Sequence, residues 1–231
     1  MARLHKKKRR KLTKRQRRRK IERIIKVGFV MLSVLAVIIG VVKLVNPGLL
    51  TLKYFELSNE KIDASKPEID VDLLTVNPYS RPGRETGKIN GIVVHYTANP
   101  RASAKANRDY FENLKDTHTT KASSNFIIGL DGEIIQCVPT WEIAYASNDR
   151  NKDTVSIECC HSDETGKFTK ATYQSLVQLT SWLCMKFDLD ENDVIRHYDV
   201  TGKICPKYFV EDEEAWKGFK EDVSNALANT E

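Results

Sequence analysis

From Val27 to Val42 the chain carries no charged residue, and the 26 residues that open it hold 15 Lys and Arg against a single acid, Glu22. This pairing constrains the chain more than any other feature. Extended to Ile24–Val45, the apolar run takes in only Lys26 and Lys43, both near its ends. Long cationic side chains at such positions can bury their stems and keep the ammonium in the interface. As a helix those residues span about 33 Å, enough for the hydrocarbon core of a bilayer. The cationic excess lies before the run, so the N-terminus is expected in the cytoplasm and the rest of the chain outside. The basic region is too long for a cleaved signal peptide and no A-x-A-like site follows, so the sequence predicts a retained signal-anchor. Beside a membrane span, topology and attraction to anionic lipid account for the basic arm, and no nucleic-acid partner is expected.

The overall charge of +6 hides this asymmetry: the first 26 residues sum to +14, which leaves −8 for the remainder. The predicted organisation is a cytoplasmic arm over 1–23, a transmembrane helix over 24–45, an extracytoplasmic stalk over 46–78 and one catalytic domain over 79–231. The stalk reading rests on Pro47, Gly48, Pro67 and Pro78 amid charges and weak periodicity. Within the domain, strands are predicted at 88–96, 154–160 and 194–197. Asp131-Gly132 between 125–130 and 133–138 reads as a two-residue hairpin turn. Helical spacing marks 102–115, 171–187 and 211–227, the second with Tyr173, Leu176, Val177, Thr180, Leu183, Cys184 and Phe187 on one stripe. Strands interleaved with helices, plus one hairpin, predict an α/β domain with a central mixed sheet flanked by helices. No internal repeat occurs.

Chemistry concentrates in RHYDVTGKICP, residues 196–206, where His197, Lys203 and Cys205 stand close together. A second histidine, His95, closes the apolar run GIVVHYT. Two strand-end histidines and a loop cysteine suit Zn2+, and three protein ligands leave a position for water, as in catalytic rather than structural sites. Lys203 sits two residues before Cys205, where a cation could stabilise an oxyanion. The five cysteines are odd in number, which fits one being spent on a metal. Cys184 reads as a small core residue. Whether Cys137, Cys159 and Cys160 form a disulfide is open.

Six blocks, in order, resemble the zinc N-acetylmuramoyl-L-alanine amidases, the family that includes phage lysozyme-type amidases and the peptidoglycan recognition proteins. They are NPYSRPG (77–83), GIVVHYTANP (91–100), ASSNFIIGLDGEIIQCVP (122–139), EIAYAS (142–147), TVSIE (154–158) and RHYDVTGKICP (196–206). The resemblance implies zinc held by His95, His197 and Cys205, and hydrolysis of the amide between N-acetylmuramic acid and L-alanine in bacterial peptidoglycan by a zinc-activated water. It assigns Lys203 to the oxyanion. Some relatives place a catalytic Tyr where this chain has Ser123-Ser124; others carry a Glu on the strand that here reads TVSIE, and Glu158 matches it. A carboxylate there can take a proton from water and pass it to the leaving amine. The alternative is a membrane-anchored, non-catalytic module that binds muropeptide. Asp199 is expected to tie the His197 loop or orient a ligand, and Tyr96, Asn99 and Asn125 to line the substrate groove. His118 reads as solvated, and His161 as no metal ligand. The sequence suggests no organic cofactor and sets no oligomeric state.

Overall fold

The computed structural model describes residues 61–230. Their strands are β1 (Asp70–Val71), β2 (Ile92–Tyr96), β3 (Phe126–Ile128), β4 (Ile134–Gln136), β5 (Val155–Cys159) and β6 (Val194–Arg196). The helices are α1 (Ala104–Thr117), α2 (Lys170–Phe187), α3 (His197–Thr201), α4 (Lys207–Glu211) and α5 (Glu213–Ala228). The sheet has the order β1-β4-β3-β5-β2-β6, with every pair parallel except β3 and β4. The α/β mixed sheet read from the sequence is the fold observed.

Strand alternation divides the core in two. Ile92, Val94, Phe126, Ile128, Val155, Ile157 and Cys159 face α2 and α5, where they pack on Tyr173, Leu176, Val177, Phe219 and Val223. Ile127, Ile135, Cys137 and Cys160 point the other way, onto Ala104, Phe111 and Leu114 of α1. The long helices start where a side chain caps free N–H groups: Ser103 accepts from Ala106, Thr169 from Thr172 and Asp212 from Ala215. Because α1 lies over β3 and β4, the same face of β2 and β5 is left for other work. His95 and Glu158 stand there, directly paired across the parallel strands.

Four details differ from the sequence reading. Residues 61–78, expected to be the outer part of a stalk, are attached to the domain. β1 pairs with β4, Leu74 and Ala64 are buried, and the Ala64 amide donates to Thr230 Oγ1 over 2.7 Å. Arg108 of α1 clamps this segment by donating to the carbonyls of Asp72 (3.1 Å) and Leu73 (2.9 Å). The domain therefore begins before residue 79. The β3–β4 connection is wider than a two-residue turn: Gly129 N–H donates to the Glu133 carbonyl, enclosing Leu130, Asp131 and Gly132. Gly132 takes φ +88°, the left-handed position such three-residue loops require. β6 ends at Arg196, so His197 opens a short helix rather than closing a strand. The final helical stretch breaks at Asp212, whose carboxylate caps α5.

Among the described residues no helix is long and apolar enough to cross a membrane. The arm at 1–23, the span at 24–45 and the inner stalk lie outside the described residues.

Candidate metal centre and active site

Three chain segments deliver the site. β2 carries His95 to its penultimate position; β6, on the other side of β2, runs straight into α3 and places His197 first in that helix. The turn into α3 is fixed by Arg196 and Asp199. The Arg196 amide donates to Asp199 Oδ2 (2.8 Å), and its guanidinium reaches Asp199 Oδ1 (2.9 Å) and Glu213 (2.8 Å). Asp199 thus ties the His197 turn. Gly202 then caps α3 at φ +77°, reversing the chain. The Tyr198 amide donates to the Cys205 carbonyl (2.9 Å), so His197 and Cys205 sit on one closed staple.

The staple brings the predicted ligands together. One donor atom each from His95, His197 and Cys205 lie within 4.8 Å of one another, and all three residues are buried. The imidazole centroids are 4.6 Å apart, and Cys205 Sγ is 3.8 Å from His95 Nδ1. The Nε2 of each ring has a polar neighbour: His95 Nε2 lies 3.1 Å from Ser147 Oγ, and His197 Nε2 lies 3.0 Å from Asn148 Oδ1. Sequence reading overlooked this pair. Its only signal was two consecutive polar residues after the apolar block EIAYA.

Burial dominates the electrostatics. It holds the pKa of His95 well below the usual value, helped by His197 and Lys203, and lowers His197 too, again with Lys203. Both rings are therefore neutral near pH 7. Burial also pushes the Cys205 thiol up to about 12, and the neighbouring Glu158 carboxylate adds to the rise. Glu158 is half-buried as a residue, but its Oε2 is sealed from solvent and has no hydrogen-bond partner. Desolvation carries its pKa to about 8, against an opposing pull from Lys203. The exposed Lys203 is thus felt by His95, His197, Cys205 and Glu158 alike.

Two neutral imidazoles and a thiol, clustered and buried, form a donor set suited to zinc. A cation there would meet no positive charge on its ligands, and would displace the thiol proton. The sealed, unpartnered Glu158 oxygen beside His95 is the kind of group that a functional site leaves unsatisfied. The residues present therefore fit a zinc ion.

The remaining candidates have other roles. Ser124, where some amidases are expected to carry Tyr, is buried and donates to the Phe126 and Ser156 carbonyls. Asn125, expected in the groove, is buried instead: its Oδ1 accepts the Ser156 amide and its Nδ2 donates to the Pro139 carbonyl. It pins the β3–β5 junction. His118 caps α1 and stacks on Tyr79 at 4.2 Å. His161 is buried with Nδ1 2.7 Å from the Asp163 carbonyl, outside the His95, His197 and Cys205 cluster. Tyr96 is half-buried at the site, its amide donating to Cys205 Sγ. Asn99 is exposed beyond the end of β2. All five cysteines are free thiols.

Residues 85–208, which include all five predicted site residues, match the family of N-acetylmuramoyl-L-alanine amidases. The chain belongs to that family. It is 35% identical over 170 residues to the N-acetylmuramoyl-L-alanine amidase CwlL of Bacillus licheniformis, a match covering 68% of this chain and 47% of CwlL. It is 32% identical over 176 residues to the N-acetylmuramoyl-L-alanine amidase BlyA of Bacillus subtilis (strain 168), covering 67% and 46%. The chain thus spans about half the length of the curated relatives it matches. Among solved structures, the catalytic domain of XlyA superposes with a TM-score of 0.58 at 26% identity, covering 68% of this chain and 99% of that one. An amidase fold accordingly underlies the described residues.

Proposed function

We propose that this chain hydrolyses the amide bond between N-acetylmuramic acid and L-alanine in bacterial peptidoglycan, as a zinc enzyme held at the cell membrane by residues 24–45. The observation that carries the catalytic part is the convergence of His95, His197 and Cys205 within 4.8 Å, with Glu158 paired to His95 across the sheet. Zinc bound there would supply Lewis acidity to the scissile carbonyl and to a water. The chain's own residues do the rest. His95 and His197 are kept neutral by burial, so each offers a lone pair without proton loss. Glu158 takes the proton of the attacking water and returns it to the L-alanine nitrogen. Burial favours its protonated form, which strengthens the carboxylate as the acceptor of that proton. Lys203, exposed on the loop between His197 and Cys205, offers its ammonium to the oxyanion that develops on the scissile carbonyl.

The anchor is supported by the uncharged run and the cationic arm before it, and it would put the domain outside the membrane. The full chain in detergent should release L-alanine amino groups from purified walls. Chelation should abolish release, and added zinc should restore it. A chain that binds walls but releases nothing in excess zinc would be the non-catalytic module instead.

A further inference from the structure

The loop from Ala144 to Asn148 crosses the site and is held more firmly than a surface connection needs. Ala144 is buried in the cluster beneath α1. Tyr145 pairs twice with Ser123, its carbonyl accepting the Ser123 amide (3.1 Å) and its amide donating to Ser123 Oγ (2.9 Å). The amides of Ala146 and Ser147 both donate to Asn151 Oδ1, and the Arg150 amide donates to the Ser147 carbonyl. Ser147 is 1% exposed. Asn148 is held at φ +53°, a left-handed conformation that Asn tolerates better than most residues. The loop delivers two consecutive polar side chains, one to each histidine: Ser147 Oγ to His95 Nε2 and Asn148 Oδ1 to His197 Nε2.

The chemistry of these contacts fixes where the ring protons sit. A carboxamide oxygen only accepts, so His197 Nε2 must carry its proton, which leaves Nδ1 as the ring's lone pair. At His95 both neighbours, Ser147 Oγ and Cys205 Sγ, can donate or accept, and the arrangement with Nε2–H donating to Ser147 is the one that leaves the Nδ1 lone pair towards Cys205. The Asn148 oxygen selects one tautomer of His197, and Ser147 can support the matching one at His95; neither residue is in the ligand set. We infer that Ser147 and Asn148 are positioning residues: they hold the Nε2 edges of His95 and His197, favour Nε2–H in both rings, and so present both Nδ1 lone pairs to a metal held with Cys205. This deepens, and rests on, the zinc reading above. Partners of this kind typically change metal affinity by about 10- to 100-fold.

The test uses the full chain in detergent, with zinc as the probe in a chelator competition and nitrogen-15 spectra of the histidine rings in the metal-stripped protein. Asn148→Gly keeps the left-handed backbone and removes the acceptor. It should weaken zinc binding by about 10- to 100-fold and turn His197 into a mixture of tautomers. Ser147→Ala should do the same to His95. Asn148→Asp keeps an acceptor at the same place and should hold zinc at least as tightly as the wild type. Zinc affinity within about twofold of wild type in Asn148→Gly and Ser147→Ala would overturn the inference. So would an Asn148→Asp chain as weak as Asn148→Gly, since loop shape rather than the acceptor would then be decisive. Should the wild-type chain take up no zinc, the metal reading fails by itself, and the ring tautomers still decide whether these residues set the protons.

Discussion

Replacing Glu158 by Gln should make the domain a far poorer catalyst and, without metal, a more stable protein at alkaline pH. The carboxyl is desolvated against the sheet, and its pKa rises from 4.5 to about 8. Below pH 4.5 folded and unfolded chains both carry the proton, and Glu158 contributes no pH dependence. Between 4.5 and about 8 the unfolded chain ionises while the folded one does not. The native state then loses about 1.4 kcal/mol per pH unit, and the loss levels off above the folded pKa. The full span is about 5 kcal/mol, comparable to the whole stability of many domains. Gln cannot ionise, so Glu158→Gln lacks this slope. Urea unfolding of metal-stripped chains beginning at residue 61, followed from pH 4 to 9, reads the difference directly. The two stabilities should diverge steadily to about pH 8 and then run parallel. Any constant cost of fitting the amide cancels, because only the slope is compared. Curves parallel across the whole range would show that Glu158 titrates normally, and the case for it as a proton carrier would lose its physical basis. With zinc bound, the same variant should lose at least about a hundredfold in amide hydrolysis.

Cys205→Ser should lower zinc content well below one ion per chain, as measured by elemental analysis of the purified protein; full retention would remove Cys205 from the ligand set. Lys203→Ala should keep its zinc and lose about 10²- to 10³-fold in turnover, as loss of an oxyanion donor typically does; an unchanged rate would return Lys203 to the solvated surface. Arg108→Ala should free the segment around β1 while the rest of the sheet holds. Two charge-assisted bonds to the Asp72 and Leu73 carbonyls are lost, about 3 kcal/mol, so exchange at the Asp72 and Leu74 amides should rise by roughly a hundredfold. Unchanged protection there would show the clamp to be idle. In intact spheroplasts, protease added outside should reach the domain and spare an N-terminal tag, and the reverse pattern would invert the proposed topology.

The His95, His197 and Cys205 cluster was legible because a zinc site would demand particular residue types, and each of the three stands in a short, distinctive segment. The sheet was legible from apolar runs and from the Asp131-Gly132 turn, although loop width was not. Pattern alone did not show that His197 starts a helix, because beyond the local bond from Arg196 to Asp199 the turn is held by Arg196 reaching Glu213, 17 residues on, a contact of tertiary origin. The attachment of residues 61–78 was hidden for a similar reason. β1 is two residues long and gains its place from Arg108, which lies over thirty positions away. Glu158 was expected on a polar face. Structurally its face is shared with the cluster under α1, and that shared burial is what raises its pKa. Ser147 and Asn148 carry only a faint signal in sequence, a polar pair at the end of the EIAYAS block, since neither residue type is unusual in a loop.

The central claim is that this metal-dependent site cuts one particular amide. Its most direct test is mass spectrometry of the products from a defined muropeptide incubated with the purified chain, with and without a zinc chelator. Intact N-acetylmuramic acid with a free lactyl carboxylate, together with a stem peptide that begins with a free L-alanine amine, should form only when zinc is present. Cleavage between other residues of the stem or within the glycan, or the same products undiminished in chelator, would contradict the account.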